Sequence, residues 1–364
     1  KNIEIKDFEQ SDVKFNIQHV SSDTYLKANK LKSKLINDSE NLQNSIGLNL
    51  YSNNLSINAE AKIYENLSKA DSDRFEYILP KLDLVKNIEN KTKLNGDFTF
   101  SSKNLIRNFD TNIFEKSNIN DLTFNSNPNI SKGGFYNNYN FLIKNSNTDS
   151  QNSSDFKDDE NYYLSGIFQF NSSLPLIKED ENYKNILKPK MTLNIAPNST
   201  KNLSNKNSRI DLNNIYSLNR ISENDVIEGG VSLIYGNEYS IFDEKNSKEI
   251  FNLEFANNLR FKENEDLPLN DQIGQKTSNF FGRAFYSPND YLTTKYDISL
   301  KNNLTDVSYE NLITSIKINN FITTFDFLNE NNTVDQNSYL TNTTKYSING
   351  SNSLEFSTRE NKTT

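Results

Sequence analysis

The chain has 364 residues, with 40 Lys and Arg against 48 Asp and Glu, a net charge of −8, no Cys and a single His. Only 34% of its residues are hydrophobic, where a soluble globular domain carries about half, and mean hydropathy is −0.76. These figures exclude disulfide staples, thiolate metal sites, most His-based catalysis and a basic surface for nucleic acid.

Taken in chain order, the apolar residues fall two apart. Phe15 and Ile17 come first, then Leu55, Ile57, Ala59, Ala61 and Ile63 alternating with Ser56, Asn58, Glu60 and Lys62. Phe98/Phe100, Leu164/Gly166/Phe168/Phe170 and Met191/Leu193/Ile195 repeat the pattern. The longest run is Phe251, Leu253, Phe255, Leu259 and Phe261, broken only by Asn257, and Tyr296/Ile298/Leu300 and Phe321/Thr323/Phe325/Phe327 follow. Side chains alternate across a pleated backbone, so each run is a strand with one apolar and one polar face.

The fold class is all-β and antiparallel, and the composition supplies one apolar face per strand and little more. A membrane barrel meets both conditions, because lipid takes the outward face and an aqueous lumen the inward one. Disorder is disfavoured by 18 Tyr and 24 Phe placed in alternating runs. There is no apolar run long enough for a transmembrane helix, which needs about 18 residues. No repeat of fixed period and only 11 Gly speak against a glycine-rich solenoid.

Short polar breaks at 51–54, 286–291 and 329–335 are predicted turns. Longer polar tracts at 145–161, 177–185, 198–208 and 262–279 are predicted loops, a mixture suited to a barrel with turns at one rim and loops at the other. The expected strand count is roughly 16 to 20, in a single partial barrel domain spanning 1–364. The chain opens at Lys1 without an initiator Met and ends just after the strand-like Leu354/Phe356, which reads as a piece of a longer protein.

The segment Arg209-Ile-Asp-Leu-Asn-Asn-Ile-Tyr-Ser-Leu-Asn-Arg-Ile-Ser-Glu-Asn-Asp-Val-Ile-Glu-Gly-Gly230, followed by Val231-Ser-Leu-Ile-Tyr-Gly236, resembles the barrel domain of the LPS-assembly protein LptD family. An Asn-Arg pair there precedes an acidic-hydrophobic-Glu-Gly stretch and a Tyr-Gly strand. Ser22-Asp-Thr-Tyr-Leu26, Tyr77-Ile-Leu-Pro-Lys-Leu-Asp83, Leu187-Lys-Pro-Lys-Met191, Ile195-Ala-Pro197, Phe280-Phe-Gly-Arg283 and Tyr286-Ser-Pro-Asn-Asp-Tyr291 are similar to further family stretches in the same order. The first is one residue shorter than the family's Ser-Asp-x-x-Tyr-Leu.

The resemblance implies an outer-membrane barrel that receives lipopolysaccharide (LPS) from a periplasmic LptA-type bridge and releases it into the outer leaflet, with the lipoprotein LptE in its lumen. It also implies that a jellyroll domain, the first and last barrel strands and the family's disulfide cysteines lie outside this sequence.

Two readings of the signature cluster Asn219, Arg220, Asp225, Glu228, Gly229, Gly230 and Tyr235 stand side by side. In one, Arg220 pairs with Glu228 at a luminal site facing LptE or a saccharide. In the other, preferred because a family signature often marks strand geometry, the charges serve the wall itself. Pro80, Pro189 and Pro197 each remove a ladder donor and are expected at bulges or strand ends. The acidic tract 155–161 is read as a solvated loop rather than a cation site, and His19 as a rim residue. No catalytic residue, metal site or cofactor is expected. The alternatives are a porin or plugged outer-membrane transporter, and an extracellular β-solenoid or adhesin.

Overall fold

The computed structural model describes residues 3–70, 73–197, 200–206, 208–221, 223–331 and 336–363. Strands and one short helix follow in the order β1 (Gln10–Asn16), α1 (Tyr25–Ala28), β2 (Asn41–Ser52), β3 (Leu55–Asn66), β4 (Phe75–Ile88), β5 (Gly96–Phe109), β6 (Ile113–Ser126), β7 (Asn129–Ile130), β8 (Tyr136–Gln151), β9 (Asp159–Ser173), β10 (Leu176–Glu179) and β11 (Tyr183–Ile195). They continue with β12 (Val231–Asp243), β13 (Lys248–Arg260), β14 (Phe280–Tyr286), β15 (Leu292–Leu300), β16 (Val307–Ile318), β17 (Phe321–Asn331), β18 (Gln336–Ser347) and β19 (Ser353–Asn361). Successive strands pair antiparallel, with β6 reaching β8 and β9 reaching β11 past the short β7 and β10. No helix among the described residues is long and apolar enough to cross a membrane.

Two compact units result. The first holds Lys1–Ser126, Phe141–Gly166 and Glu223–Val226; the second holds Asn127–Asn140, Ile167–Ser222 and Ile227–Thr364. In the first, the 17–40 connection carries α1, a helix that strand patterning does not foreshadow. Its Leu26 is buried with Leu42 and Leu67 against Val20. Arg74 ties this connection down, donating to Asp23 Oδ1 at 2.6 Å and Oδ2 at 2.9 Å, and to Glu65 Oε1 at 2.7 Å. The Ser22-Asp23 stretch thus marks an ion-paired corner.

In the second unit the alternation has a clear reading. Register aligns Thr192 with Ile234 and Asn258, and Asn194 with Ser232 and Arg260, all buried on one face, here termed the inner face. The opposite parity aligns Met191 with Tyr235 and Asn257, and Leu193 with Leu233 and Leu259; Met191, Tyr235 and Leu259 are exposed. This outward face is apolar. The one break, Asn257, is 3% exposed and donates to the carbonyls of Ser278 and Asn279 at 3.0 Å each. β14 begins only at Phe280, so beyond Ala256 the neighbour of β13 is loop backbone, and the Asn257 amide satisfies carbonyls that no ladder reaches.

Two predicted loops are strand over part of their length, only 152–158 and 180–182 remaining as connections. β8 runs on through 145–151 and β9 starts at Asp159, while 177–179 of β10 pair with 184–186 of β11. The error has a physical source: from Lys144 onward both faces of β8 are polar, with Lys144, Ser146, Thr148 and Ser150 buried inward and Asn145 and Asn147 outward, so no period of two is visible in hydropathy there. Of the expected turn at 329–335, residues 332–335 lie outside the described residues, as do 198, 199 and 207 of the 198–208 loop.

The prolines sit where the ladders lapse. Pro80 falls in the register shift of β4, between Ile78 and Lys81. Pro189 lies where the partner of β11 changes from β10 to β9, and Pro197 follows the end of β11, its carbonyl accepting from Gly230 N at 3.0 Å. Replacing Asn257 by Leu restores the alternation yet takes a donor from the Ser278 carbonyl and leaves that of Asn279 with only the Ser278 hydroxyl at 2.8 Å. We expect Asn257→Leu to lower folding stability by about 1–3 kcal/mol, read as earlier unfolding in a heat-modifiability assay; unchanged unfolding contradicts this role.

Candidate functional site

Of the connection between β11 and β12, the described residues of 200–221 and 227–230 fold back on the inner face of the strands they join. Its base is pinched by Ala196 N donating to Gly230 O and Gly230 N donating to Pro197 O, both at 3.0 Å. Gly230 has φ +99°, a left-handed conformation that favours glycine. Gly229 N donates to Thr200 Oγ1 at 3.0 Å, and its carbonyl accepts from Arg260 at 2.7 Å.

At the centre lies a buried ion cluster. Arg220 Nε donates to Glu228 Oε2 at 2.8 Å, and its terminal nitrogens reach Glu228 Oε1, Asn258 Oδ1 at 3.0 Å and Ser232 Oγ at 3.3 Å. Arg260, at the end of β13, also donates to Glu228 Oε1, and to Ile273 O at 2.9 Å. Glu228 N donates to Asn219 Oδ1 at 3.1 Å. The side chains of Arg220 and Arg260 are 0% exposed and that of Glu228 is 3% exposed. Burial opposes a charge on Glu228, but Arg220 first and Arg260 second outweigh it and hold the carboxyl below the usual range.

Arg260 is the member that sequence reading places only on a polar strand face. It joins the cluster because its strand ends where two connections converge. The second connection, 261–279, meets the first along its length. Leu203 N donates to Asp266 O at 2.7 Å, Asn264 Nδ2 to Thr200 Oγ1 at 3.0 Å, and Ile210 N to Asp271 Oδ2 at 2.6 Å. Leu203, Ile215, Ile227, Leu267 and Ile273 are all buried, giving the pair of connections an apolar interior of its own.

Tyr216 completes the seat. Its carbonyl accepts from Gln169 Nε2 at 3.1 Å, and its ring lies over Lys190 Nζ, 5.6 Å from the centroid. A Cβ at position 236 would overlap the Tyr216 hydroxyl and the Phe255 carbonyl, so Gly236 in the Tyr-Gly stretch is the space into which Tyr216 fits. Burial, then Glu254 and Glu238, push the Tyr216 phenol upward from its ordinary value.

Of the sequence-derived group, Asn219, Arg220, Glu228, Gly229 and Gly230 are brought together, while Asp225 and Tyr235 are not. Tyr235 is on the outward face. Asp225 belongs to the first unit, where it lines a cavity of about 430 Å³ with Lys103, Arg107 and Glu115. Beside it Lys144 Nζ holds Asp121 Oδ1 at 2.7 Å and the Asn224 carbonyl at 2.7 Å. Among the described residues no group of three or more His, Cys, Asp or Glu is placed to hold a metal ion.

Asp271 titrates within a useful range. Burial raises its carboxyl to about 7, against the opposing donation from Ile210 N. A free aspartate ionises near pH 4, so from roughly pH 4 to pH 7 the folded protein keeps a proton that the unfolded chain has lost, and stability falls as pH rises through that window. We expect the 261–279 connection to exchange amide hydrogens more readily at pH 8 than at pH 5, after correction for intrinsic exchange. Asp271→Asn should flatten that difference; an equal difference in the variant contradicts the assignment.

Comparison with known proteins bears on the whole chain. A family model for LptD, LPS transport system D, matches residues 6–359. A search of curated proteins finds no match. Among solved structures, the siderophore receptor PirA from Acinetobacter baumannii is similar with a TM-score of 0.35 and 8% identity, covering 88% of this chain. The chain spans 65% of that receptor's length. The family match extends across nearly every strand and includes the 196–230 connection with its buried cluster: the chain belongs to the LptD family of outer-membrane β-barrel proteins.

Proposed function

We propose that this chain forms wall and conduit in an outer-membrane machine that inserts LPS into the outer leaflet together with LptE, with residues 1–364 acting as one segment of the barrel. Membership of an LPS transport family supports the pathway. The two-faced sheet is the observation that carries the physical reading. Outward, Met191, Tyr235, Leu253 and Leu259 offer apolar surface; inward, Lys190 bridges Glu238 at 2.6 Å and Glu254 at 2.9 Å. Acyl chains and saccharide need routes of opposite polarity, since polar groups are costly in hydrocarbon.

On this reading the work is sorting by polarity, and the residues make and break no bonds. The Arg220–Glu228–Arg260 cluster with Asn219, Gly229 and Gly230 is a fastening for the two connections on the inner wall, and LptE docks against the surface they hold in place. LPS arrives from an LptA-type bridge. A porin or plugged nutrient transporter would present the same two faces but no LptE contact.

Photocrosslinking separates these readings. A benzophenone-bearing amino acid at Tyr235, on the outward face, should capture lipid in the full-length protein, and one at Glu238, of inward parity, should capture LptE. Capture of the same species from both positions, or no LptE adduct from any inward position, contradicts the proposal.

A further inference from the structure

The outward face of β5, β6 and β8 changes character halfway along. Three phenylalanines come first: the Phe98 and Phe124 centroids are 4.7 Å apart, and those of Phe124 and Phe141 5.2 Å apart, Phe124 itself being fully buried. Phe100, opposite Leu122, and Ile143 continue the apolar surface. Then the same face, moving towards the 110–112 and 152–158 connections, presents Ser102 opposite Asn120 and Asn104 opposite Asn118, with Asn145 and Asn147 on β8.

These amides form a ladder. Asn120 Nδ2 donates to Asn118 Oδ1 at 2.7 Å and to Asn145 Oδ1 at 3.3 Å; Asn147 Nδ2 donates to Asn145 Oδ1 at 2.8 Å and to Asn118 Oδ1 at 3.2 Å. Asn118 Nδ2 donates to Asn104 Oδ1, and Asn104 Nδ2 to Ser102 Oγ at 3.1 Å. The residues are half-buried. Asn145 Nδ2 donates to Asn147 Oδ1 at 3.2 Å and to Tyr163 O at 3.5 Å, and Asn104 Nδ2 also reaches Leu82 O at 3.4 Å. Each amide offers two donor hydrogens and two lone pairs, so these bonds take nearly all the donors and leave lone pairs on the oxygens of Asn120, Asn104 and Asn147.

Strand length shows where this polar half belongs. β5 and β6 have 14 residues and β8 has 16, whereas a tilted strand crosses the hydrocarbon in about 9–11. The strands therefore outrun the bilayer, and the apolar half marks the end that stays in it. The ladder lies towards the end of the first unit that also carries the long 17–40 connection, and long connections face the cell exterior in such barrels. The second unit shows the same change: the outward row Tyr296, Leu312 and Phe327 gives way, nearer the 301–306 connection, to Glu310, which accepts from Asn329 Nδ2 and Tyr296 Oη at 3.0 Å each.

We propose that the outward amide ladder of β5, β6 and β8 is a contact surface for the sugars of outer-leaflet glycolipid, whose acyl chains lie on the contiguous Phe100–Leu122–Ile143 surface. Sugar hydroxyls donate to oxygen lone pairs such as those left on Asn120, Asn104 and Asn147, and one lipid molecule then meets matching chemistry along its length. The proposal rests on the reading of this sheet as a membrane wall with the long connections outside.

The test uses the full-length protein in phosphatidylethanolamine vesicles containing either LPS with its complete saccharide or lipid A alone. Benzophenone-bearing amino acids are placed at Asn120, at Ile143 and at the exposed Lys116, which lies one row beyond the ladder and outside its hydrogen bonds. Asn120 and Lys116 should give severalfold more glycolipid adduct with the complete saccharide, while Ile143 labels acyl chains equally in both vesicles. Equal yields from Lys116 with both lipids, or no glycolipid adduct there beside a strong one at Ile143, overturn the proposal and leave the membrane wall standing. Absence of any lipid adduct at Ile143 instead removes the membrane reading on which the proposal rests.

Discussion

A carboxylate with almost no exposure to water must be paired, and in this protein that requirement organises the inner wall. Glu228 is held by Arg220 from its own connection and by Arg260 from the end of β13. Breaking such a group by removing one partner costs about 3–5 kcal/mol, because the remaining charges stay buried. Arg260 also takes the carbonyls of Gly229 and Ile273, one from each connection, so neither connection can lift away without stranding a charge. The fastening is therefore cooperative, and the pinch at Gly230 and the seat for Tyr216 at Gly236 serve the same end.

The outward face is governed by a different solvent. Where Met191, Tyr235, Leu253 and Leu259 face out, burial in lipid contributes about 25 cal/mol per Å² of apolar surface. Where Asn104, Asn118, Asn120, Asn145 and Asn147 face out, the surface is polar, and the proposal above puts it beyond the reach of hydrocarbon.

Much of this was legible in the residues, and the reasons for the remainder are specific. Period-two apolar rows such as Phe251 to Leu259 locate strands directly, because one face meets one solvent. The second half of β8 escapes that reading since polar side chains occupy both its faces from Lys144 onward, and hydropathy cannot distinguish such a stretch from a loop. Asn257 looks like noise in a strand until the neighbouring backbone is seen to be irregular. Arg220 and Glu228 are close in sequence and suggest each other, whereas Arg260 lies far along the chain in an ordinary polar strand position, with no local signal of its partner. Asp225 is the converse: near Glu228 in sequence, it belongs with Asn224 and Lys103 in the other compact unit.

The most direct measurement is amide hydrogen exchange of segments 227–230 and 264–274 in the natural protein and in Glu228→Gln. Neutralising the shared acceptor leaves Arg220 and Arg260 facing each other without compensation, so both segments should lose protection together while the β2–β5 strands keep theirs. Loss confined to 227–230, or no loss in either segment, would contradict the view that one buried ion cluster holds both connections to the wall.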